Sequence, residues 1–331
     1  MSNVEISVTM AAYNCEEFIS KAIESVQNQT FKKFEFIIYN DASTDRTLDI
    51  IENYALVDKR IIVVNNTQNR GLSYCRNESL KRSKGKFILF LDADDIFHEQ
   101  LLEKAVTKAK SENSDCVIWD YATFSEESDI ESTIKYKKSS LGTISQELKK
   151  ERLKIPAFTW IKMFNREKLI SLNVSFPLGL TYQDVPVHWL VMTKLDNVSI
   201  LPEILSYYRQ QDNAVTHGKG WKRTDYFLVM DIVKEYLINS NVFYEYKDQY
   251  LKQRLESMEG VYDVVDNALK PKAKELIKNR IGAEERCYLN SGKELRKRAR
   301  LFYLQLEGDI KGRILYYFWL KTRNVYRKVF S

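Results

Sequence analysis

Cysteine is scarce in this sequence, and long apolar runs are missing. The four cysteines of the 331-residue chain lie far apart and show no paired metal-ligand spacing; they are Cys15, Cys75, Cys116 and Cys287. This distribution predicts reduced thiols in a cytoplasmic compartment and gives no readable zinc site. The apolar runs are only as long as strands, and residues 1–5 lack the features of a signal peptide. We therefore expect neither a membrane span nor a leader.

Glycine-rich phosphate-binding loops are missing as well. Residues 11–14 stand where a dinucleotide-binding enzyme would carry Gly-x-Gly-x-x-Gly, and no Gly-Lys-Ser/Thr loop occurs. These absences disfavour a classical dinucleotide enzyme and a P-loop ATPase. With 44% apolar and 29% charged residues, the chain is typical of a soluble protein that buries one large core and a smaller second unit.

Strands and helices alternate in the first part of the chain. The predicted strands are 6–10, 34–39, 61–64, 87–91 and 116–119. The predicted helices are about 16–28, 44–54, 72–83 and 99–109. This alternation predicts an α/β fold with a mostly parallel sheet and helices on both faces.

Local signals suggest where two of these helices begin and end. Ser43 or Thr44 is predicted to cap the second helix, and Gly85 is predicted to stop the third. The polar residues 125–140 are predicted to form a variable loop or insertion.

The pattern becomes less regular and then helical toward the carboxyl end. A helix is expected at 185–193 and a strand at 204–208. The remainder is helical by pattern and rich in Tyr, Lys and Arg. We therefore expect a catalytic domain over residues 1–217 and a helical, basic and aromatic region over 218–331.

An acidic cluster leaves the end of the apolar strand 87–91. Asp92, Asp94 and Asp95 place three carboxylates together, which is costly because like charges repel and lose hydration. A divalent cation offsets that cost, and a hard cation held by one or two carboxylates commonly completes its shell with phosphate oxygens. An isolated Asp-x-Asp is usually a solvated acidic turn, but the surrounding residues here favour a ligand site.

Two other strand ends supply complementary groups. Tyr13 follows the first strand and Asp41 follows the second, so both lie on the sheet edge of Asp92 if the strands are parallel. An aromatic ring can stack on a base, a carboxylate can accept from a base N–H, and a metal can hold a diphosphate. Taken alone, the segment 41–45 is read equally well as a helix cap.

The chain resembles the family 2 glycosyltransferases with the GT-A fold, of the bacterial surface-polysaccharide kind. The matching segments occur in order and are 7–14, 25–31, 40–45, 69–77 and 85–95. The resemblance extends over roughly residues 5 to 216, and ordered agreement of this kind is more specific than any single motif.

The resemblance implies roles for residues at the sheet edge. Tyr13 and Asp41 would line the nucleotide base pocket, with Ala11 contributing backbone. Asp92 would face the ribose or diphosphate, and Asp94 would hold Mg²⁺ or Mn²⁺ bridging the two phosphates.

Two further positions lie in the matching segments. Arg76 would border the nucleotide, although as a helix residue it could equally be structural. Ala42 stands where the family usually has glycine, so we expect that turn to avoid positive φ.

The resemblance also implies a catalytic base in the second half. Gln183-Asp184 resembles the family's Glu-Asp motif, with Gln183 at the Glu position. An inverting transfer needs a carboxylate that takes the proton of the attacking hydroxyl, and Asp184 is our candidate. A helix cap before Pro186 is the structural alternative for Asp184, and the two roles are compatible.

Four other residues are further candidates for the site. The resemblance suggests His217 as a further metal ligand or diphosphate contact and Arg209 as a cation near the phosphates. Trp160 and Lys162 stand where the family often lines the acceptor site. A packed Trp beside a solvated Lys is an equally good interpretation.

The carboxyl-terminal region is basic and aromatic. Residues 293–300 form a cationic cluster, and 311–323 interleave cations with Tyr, Phe and Trp. This composition suits either an interfacial helix on an anionic membrane or a helix packed on protein. Nucleic-acid binding is a poorer interpretation, because no nucleic-acid module surrounds these residues.

The sequence therefore predicts a metal-dependent, inverting hexosyltransferase. We expect a nucleoside-diphosphate sugar donor, in particular a UDP-sugar, and a glycan or lipid-linked acceptor. The expected location is the cytoplasm, with peripheral contact at the inner membrane face. The alternatives are a sugar-nucleotide nucleotidyltransferase and a non-catalytic scaffold of a glycan-assembly complex on the same fold.

Overall fold

The computed structural model describes residues 4–130, 139–143, 148–211, 218–306 and 308. The chain divides into two compact units, Met1–Ala214 and Val215–Ser331.

Four parallel strands form one half of the sheet in the first unit. They are β1 (Ile6–Ala12), β2 (Phe34–Asn40), β3 (Ile61–Asn65) and β4 (Phe87–Asp92). The helices between them are α1 (Ile19–Gln27), α2 (Thr47–Val57) and α3 (Leu72–Arg82). The strand order β3-β2-β1-β4 puts β1 in the middle, and every residue of β2 is buried.

The other half of the sheet is mixed. It contains β5 (Ile96–Phe97), β6 (Cys116–Phe124), β7 (Lys162–Asn165) and β8 (Val198–Arg209). The helices here are α4 (Leu101–Ser111), α5 (Lys149–Arg152), α6 (Arg166–Ser171) and α7 (Asp184–Lys194). β7 is antiparallel to both β4 and β6, β6 and β8 are parallel, and β5 closes the order antiparallel to β8.

The apolar pattern explains why these segments pack as they do. α1 buries Ile19, Ala22, Ile23 and Val26 at helical spacing, while its polar residues face outward. The strand β4 is buried from Phe87 to Leu91 because its neighbours cover both of its faces. The predicted α/β fold with a mostly parallel sheet is confirmed.

Two local predictions are wrong. Helix α2 begins at Thr47, and neither Ser43 nor Thr44 caps it; instead an Asp45 carboxylate oxygen accepts from the Thr47 N–H at 3.0 Å. α3 ends at Arg82, before Gly85.

Gly85 serves a different purpose, which is the close approach of two strands. Its N–H donates to the Ser7 hydroxyl at 2.8 Å, and that hydroxyl donates to Glu35 at 2.6 Å. A side chain at this position would overlap the backbone of β1. The absence of a Cβ therefore lets the start of β4 lie against β1.

The second unit consists of helices. They are α8 (Asp225–Asn239), α9 (Phe243–Val264), α10 (Lys270–Arg280), α11 (Ala283–Asn290) and α12 (Lys297–Leu306). The predicted helical carboxyl-terminal region is therefore confirmed for the residues described, while its predicted start at residue 218 stays a prediction. None of the described helices is both long enough and apolar enough to cross a bilayer.

Much of the cationic cluster 293–300 is neutralised within this unit. Lys293 pairs with Asp248 at 2.6 Å, and Arg298 pairs with Glu259 at 2.6 Å. These pairs reduce the positive charge that the cluster presents to a surface. The aromatic segment 311–323 lies outside the described residues.

Replacing Gly85 with Ala tests the close approach. The added Cβ would lie 2.5 Å from the backbone nitrogen of Ser7, so β1 or β4 must shift. We expect Gly85→Ala to lower the free energy of unfolding by about 1–3 kcal/mol or more, measured by urea denaturation. In the control Gly142→Ala the new Cβ meets, among the described residues, only Pro202, at 3.8 Å. Its effect should stay within about 0.5 kcal/mol, and equal effects of the two changes would contradict this explanation.

Candidate active site

The carboxyl ends of three parallel strands meet at one edge of the sheet. Ala11 of β1 pairs with Tyr39 of β2 on one side and with Asp92 of β4 on the other. Tyr13 follows β1 with 50% of its surface exposed, whereas Asp41 follows β2 and is buried. The structure therefore brings four predicted nucleotide-binding residues to the same edge.

The Asp41 carboxylate organises the loop that begins α3. Oδ1 accepts from the Asn66 amide at 2.8 Å and from the Arg70 N–H at 3.0 Å. Oδ2 accepts from the N–H groups of Arg70 and Gly71 at 3.1 and 2.7 Å. All of these donors come from the protein itself, so Asp41 fixes the start of α3, and its contact with a base stays a prediction.

The prediction that the turn after β2 avoids positive φ is wrong. Ala42 has φ of +59°, in the left-handed region that costs a non-glycine residue about 1–2 kcal/mol. The turn is held from the neighbouring strand end, because Asn14 accepts from the Thr44 N–H at 2.8 Å and donates its own N–H to Ser43 at 3.1 Å. These contacts compensate for the strain at Ala42.

A single buried guanidinium connects the sheet edge to the second half of the unit. Arg76 of α3 is 3% exposed. Its Nη2 lies 2.7 Å from Asp92 Oδ1, and its Nη1 lies 2.5 Å from Asp184 Oδ1. Burial raises the pKa of Asp92, and the charge of Arg76 acts against that rise. Arg76 thus brings the predicted diphosphate residue and the predicted base together.

Asp184 is the first residue of α7. Besides Arg76, it accepts from the Thr159 hydroxyl at 3.3 Å on Oδ1 and from the Thr159 N–H at 3.4 Å on Oδ2. Because Oδ2 has only this one long contact among the described residues, its lone pairs are available to a further donor. The preceding Gln183 is buried and accepts from the Ser73 hydroxyl at 2.9 Å.

The acidic cluster is tied to the end of β8. An Asp95 oxygen accepts from the Arg209 N–H at 3.0 Å, and the Gln211 amide donates to Asp94 Oδ2 at 2.8 Å. Burial and the nearby charge of Asp92 raise the pKa of Asp94 to about 6. Burial also raises the pKa of Asp95 well above its ordinary range. These carboxylates are therefore held in surroundings that disfavour their negative charge.

A divalent cation fits this donor set only together with further oxygens. No group of three His, Cys, Asp or Glu side chains among the described residues is arranged to hold a metal ion by itself. Asp94 Oδ1 has no hydrogen-bond partner in another of the described residues, and a cation there would relieve the unfavourable charge that raises the pKa of Asp94. One carboxylate completed by phosphate oxygens and water is the coordination that Mg²⁺ commonly adopts.

Arg209 is engaged with protein groups. Its Nε donates to the Asp94 carbonyl oxygen at 3.0 Å, and its Nη2 lies 3.3 Å from Glu127. The guanidinium also lies over the rings of Phe18 and Phe124, at 4.9 and 4.6 Å from their centroids. Its contact with phosphate stays a prediction, and His217 lies outside the described residues.

The two predicted acceptor residues are both buried. Trp160 stacks on Phe158 and Tyr208 with centroid distances of 5.1 and 5.4 Å. Lys162 is 1% exposed, and its ammonium donates to two backbone carbonyl oxygens. Their contact with an acceptor stays a prediction.

Sequence reasoning missed three residues that hold this site together. Thr159 contacts Asp184, Ser73 contacts Gln183, and Gln211 contacts Asp94. Each contact joins segments far apart in the sequence, so no local pattern could identify it. The one local indication of a role concerned Ser73, which lies one helical turn before Arg76 on α3.

Comparison with known proteins relates the chain to enzymes that transfer sugars. The family model described as "Glycosyl transferase family 2" matches residues 7–172. Among curated proteins, the chain is 34% identical over 185 residues to "Putative glycosyltransferase EpsH" of Bacillus subtilis (strain 168). That match covers 54% of this chain and 52% of EpsH, so the chain spans about half the length of this relative.

A second relative and a solved structure extend the comparison. "Putative teichuronic acid biosynthesis glycosyltransferase TuaG" of the same organism is 28% identical over 254 residues, covering 76% of this chain and 97% of TuaG. The crystal structure of S. aureus TarS 1-349 in complex with UDP-GlcNAc superposes with a TM-score of 0.74 at 20% sequence identity. It covers 93% of this chain and 89% of the TarS chain, and it supports the fold.

The buried lysine gives the site a testable pH dependence. Burial lowers the pKa of Lys162 to about 7 from its ordinary value of 10.5, while the negative charge of Asp184 acts in the opposite direction. Between these two pH values the unfolded chain holds a proton that the folded chain has lost. Stability relative to Lys162→Met should therefore rise with pH above 7, by up to about 1.4 kcal/mol per pH unit, and stay constant below 7.

Urea denaturation of both proteins at about pH 6, 7.5 and 9 measures this difference. Lys154→Met is the control, because Lys154 is exposed and pairs with Glu151 at the surface. A difference between wild type and Lys162→Met that does not change with pH would contradict the burial of a titrating ammonium.

Proposed function

Because the chain belongs to glycosyl transferase family 2, we propose that it is a metal-dependent, inverting glycosyltransferase. The donor is a nucleoside-diphosphate sugar, and the acceptor is a hydroxyl group of a glycan or of a lipid-linked sugar in surface polysaccharide synthesis. The crystallisation of TarS with UDP-GlcNAc supports a UDP-sugar as the donor.

The observation that carries this proposal is the link from Asp92 through Arg76 to Asp184. It joins the strand edge that would hold the donor to a carboxylate placed beyond that edge. An inverting transfer needs both groups at one reaction centre, with the base on the side opposite the leaving group.

Asp184 would act as the general base. As an acceptor hydroxyl attacks the anomeric carbon, its proton passes to Asp184 Oδ2, the oxygen with the fewest contacts. The new bond joins the acceptor oxygen to the anomeric carbon, while the bond from that carbon to the diphosphate oxygen breaks. Arg76 and Thr159 hold the carboxylate in place during this step.

Asp94 would hold the cation, Mn²⁺ or Mg²⁺, together with the donor diphosphate. When bound, such a cation neutralises the negative charge that develops on the leaving nucleoside diphosphate. Ala11, Tyr13 and Asp41 would form the wall against the nucleoside, with the exposed Tyr13 ring available for stacking on the base.

We also propose that the carboxyl-terminal region contacts anionic membrane through residues 311–323. Because Lys293 and Arg298 are paired within the second unit, the described part of the cationic cluster would contribute less.

A donor panel tests the function directly. Nucleotide release is measured with UDP-, GDP-, CDP- and dTDP-sugars in Mn²⁺, and then after EDTA. We expect slow hydrolysis of one donor, its loss in EDTA, and the same loss in Asp94→Asn because the cation ligand is gone. Asp49→Asn, an exposed change on α2, is the control and should behave as wild type. Silence across the panel with no Mn²⁺-dependent UDP binding would instead support the scaffold alternative.

Asp184→Asn separates the base from donor binding. Without a proton acceptor, we expect transfer to fall about 10²- to 10⁴-fold while the Kd for UDP with Mn²⁺ stays within about two-fold. Titration calorimetry and transfer kinetics measure these two quantities. Asp196→Asn, just beyond the other end of α7 and 83% exposed at its side chain, is the matched control. Near wild-type transfer in Asp184→Asn would show that the base is another residue.

A further inference from the structure

Lys162 is a buried cation that the proposed reaction leaves without a role. It opens β7, and its Nζ donates to the carbonyl oxygens of Pro156 and Phe158 at 2.7 and 2.5 Å. Among the described residues this ammonium bonds only neutral carbonyl oxygens. Burying a charge in this way is costly, and an apolar side chain would avoid that cost. Stability alone therefore does not explain why this position holds a lysine.

The two carbonyl oxygens belong to the turn that carries Thr159. This turn is the irregular segment 156–158 together with Thr159, the first residue of a short 3₁₀ helix that ends at Ile161. The ammonium bonds the carbonyl oxygens of its first and third residues. Thr159, the next residue, directs both its N–H and its hydroxyl at Asp184, at 3.4 and 3.3 Å. The turn thus reaches the candidate base directly, and its backbone is fixed by Lys162.

We propose that Lys162 is a positioning residue that orients Asp184 through the 156–159 turn. The ammonium fixes the backbone of the turn, and the fixed turn presents Thr159 to the carboxylate. Arg76, on α3, binds the same carboxylate, with its Nη1 2.5 Å from Asp184 Oδ1. Thr159 and Arg76 then fix the orientation of the carboxylate, and with it the position of Oδ2, which would receive the acceptor proton.

This inference rests on the proposed function, since Lys162 acts only through the candidate base. It also differs from a direct contact between Lys162 and the acceptor. With 1% of its surface exposed and its ammonium bonded to the turn, Lys162 lies beneath the site rather than on its surface. Its removal should therefore affect the rate of the chemical step and leave donor binding unchanged.

A double-mutant cycle tests the route through Thr159. The kinetic probe is nucleotide release from the UDP-sugar that the donor panel selects, and the binding probe is UDP with Mn²⁺. We expect Lys162→Met to lower kcat about 10- to 100-fold and to keep the Kd for UDP within about two-fold. Thr159→Val should lower kcat several-fold, and the double variant no further than Lys162→Met alone.

Two kinetic outcomes would overturn the proposal. If the effects of Lys162→Met and Thr159→Val multiply, the two residues act independently. If Lys162→Met weakens UDP binding as much as it lowers kcat, it disturbs the donor site rather than the base. Lys154→Met, a change at an exposed lysine earlier in the chain, is the control and should retain wild-type kcat.

A crystal structure of Lys162→Met separates this proposal from the proposed function. We expect the 156–159 turn to shift and the Thr159 hydroxyl to lie more than about 3.5 Å from Asp184. An unchanged turn that keeps the 3.3 Å contact would overturn the positioning role, whatever the donor panel gives. Conversely, a silent panel with no Mn²⁺-dependent UDP binding would refute the function, and a fully active Asp184→Asn would refute the base assignment. Either result would leave the structural role of Lys162 to this comparison.

Discussion

The site depends on one interaction, the pairing of the buried Arg76 guanidinium with two carboxylates. The guanidinium is bound to carboxylates that lie 16 and 108 residues away in the sequence, at Asp92 and Asp184. A buried guanidinium is tolerated only when hydrogen-bonded partners offset its lost hydration, and here each of its terminal nitrogens contacts an anion. Because the three groups need one another, the end of β4, the middle of α3 and the start of α7 are fixed as one unit.

Much of the fold was predictable because apolar runs and periodicity are local. The runs that begin at Ile6, Phe34 and Phe87 became strands at the expected places, since their buried faces are visible in the sequence. By contrast, β5 has only two residues and β7 only four, too few to show a period. β8 was expected only from residue 204, because Pro202 interrupts the strand pattern although the strand runs from Val198.

The residues of the site that lie at strand ends were predictable from the sequence. Asp92 and Asp41 were expected at the sheet edge, because parallel strands place their carboxyl ends together. The conformation of Ala42 was not predictable, since contacts from the neighbouring strand end override its intrinsic preference. The contacts of Thr159 and Gln211 depend on how distant segments meet, which composition and spacing do not encode.

The antiparallel direction of β7 has a consequence for how such a protein can diversify. Met163 and Phe164 pair with Leu89 and Ile88, so the chain returns to the sheet at a fixed register, whatever path it has taken since β6. An exchange between β6 and β7 that keeps the buried side chains of Leu141, Arg152 and Ile155 would leave that return point unchanged. The region between β6 and the 156–159 turn is therefore a natural junction for chimeras, in which new surface loops are joined to an unaltered reaction centre.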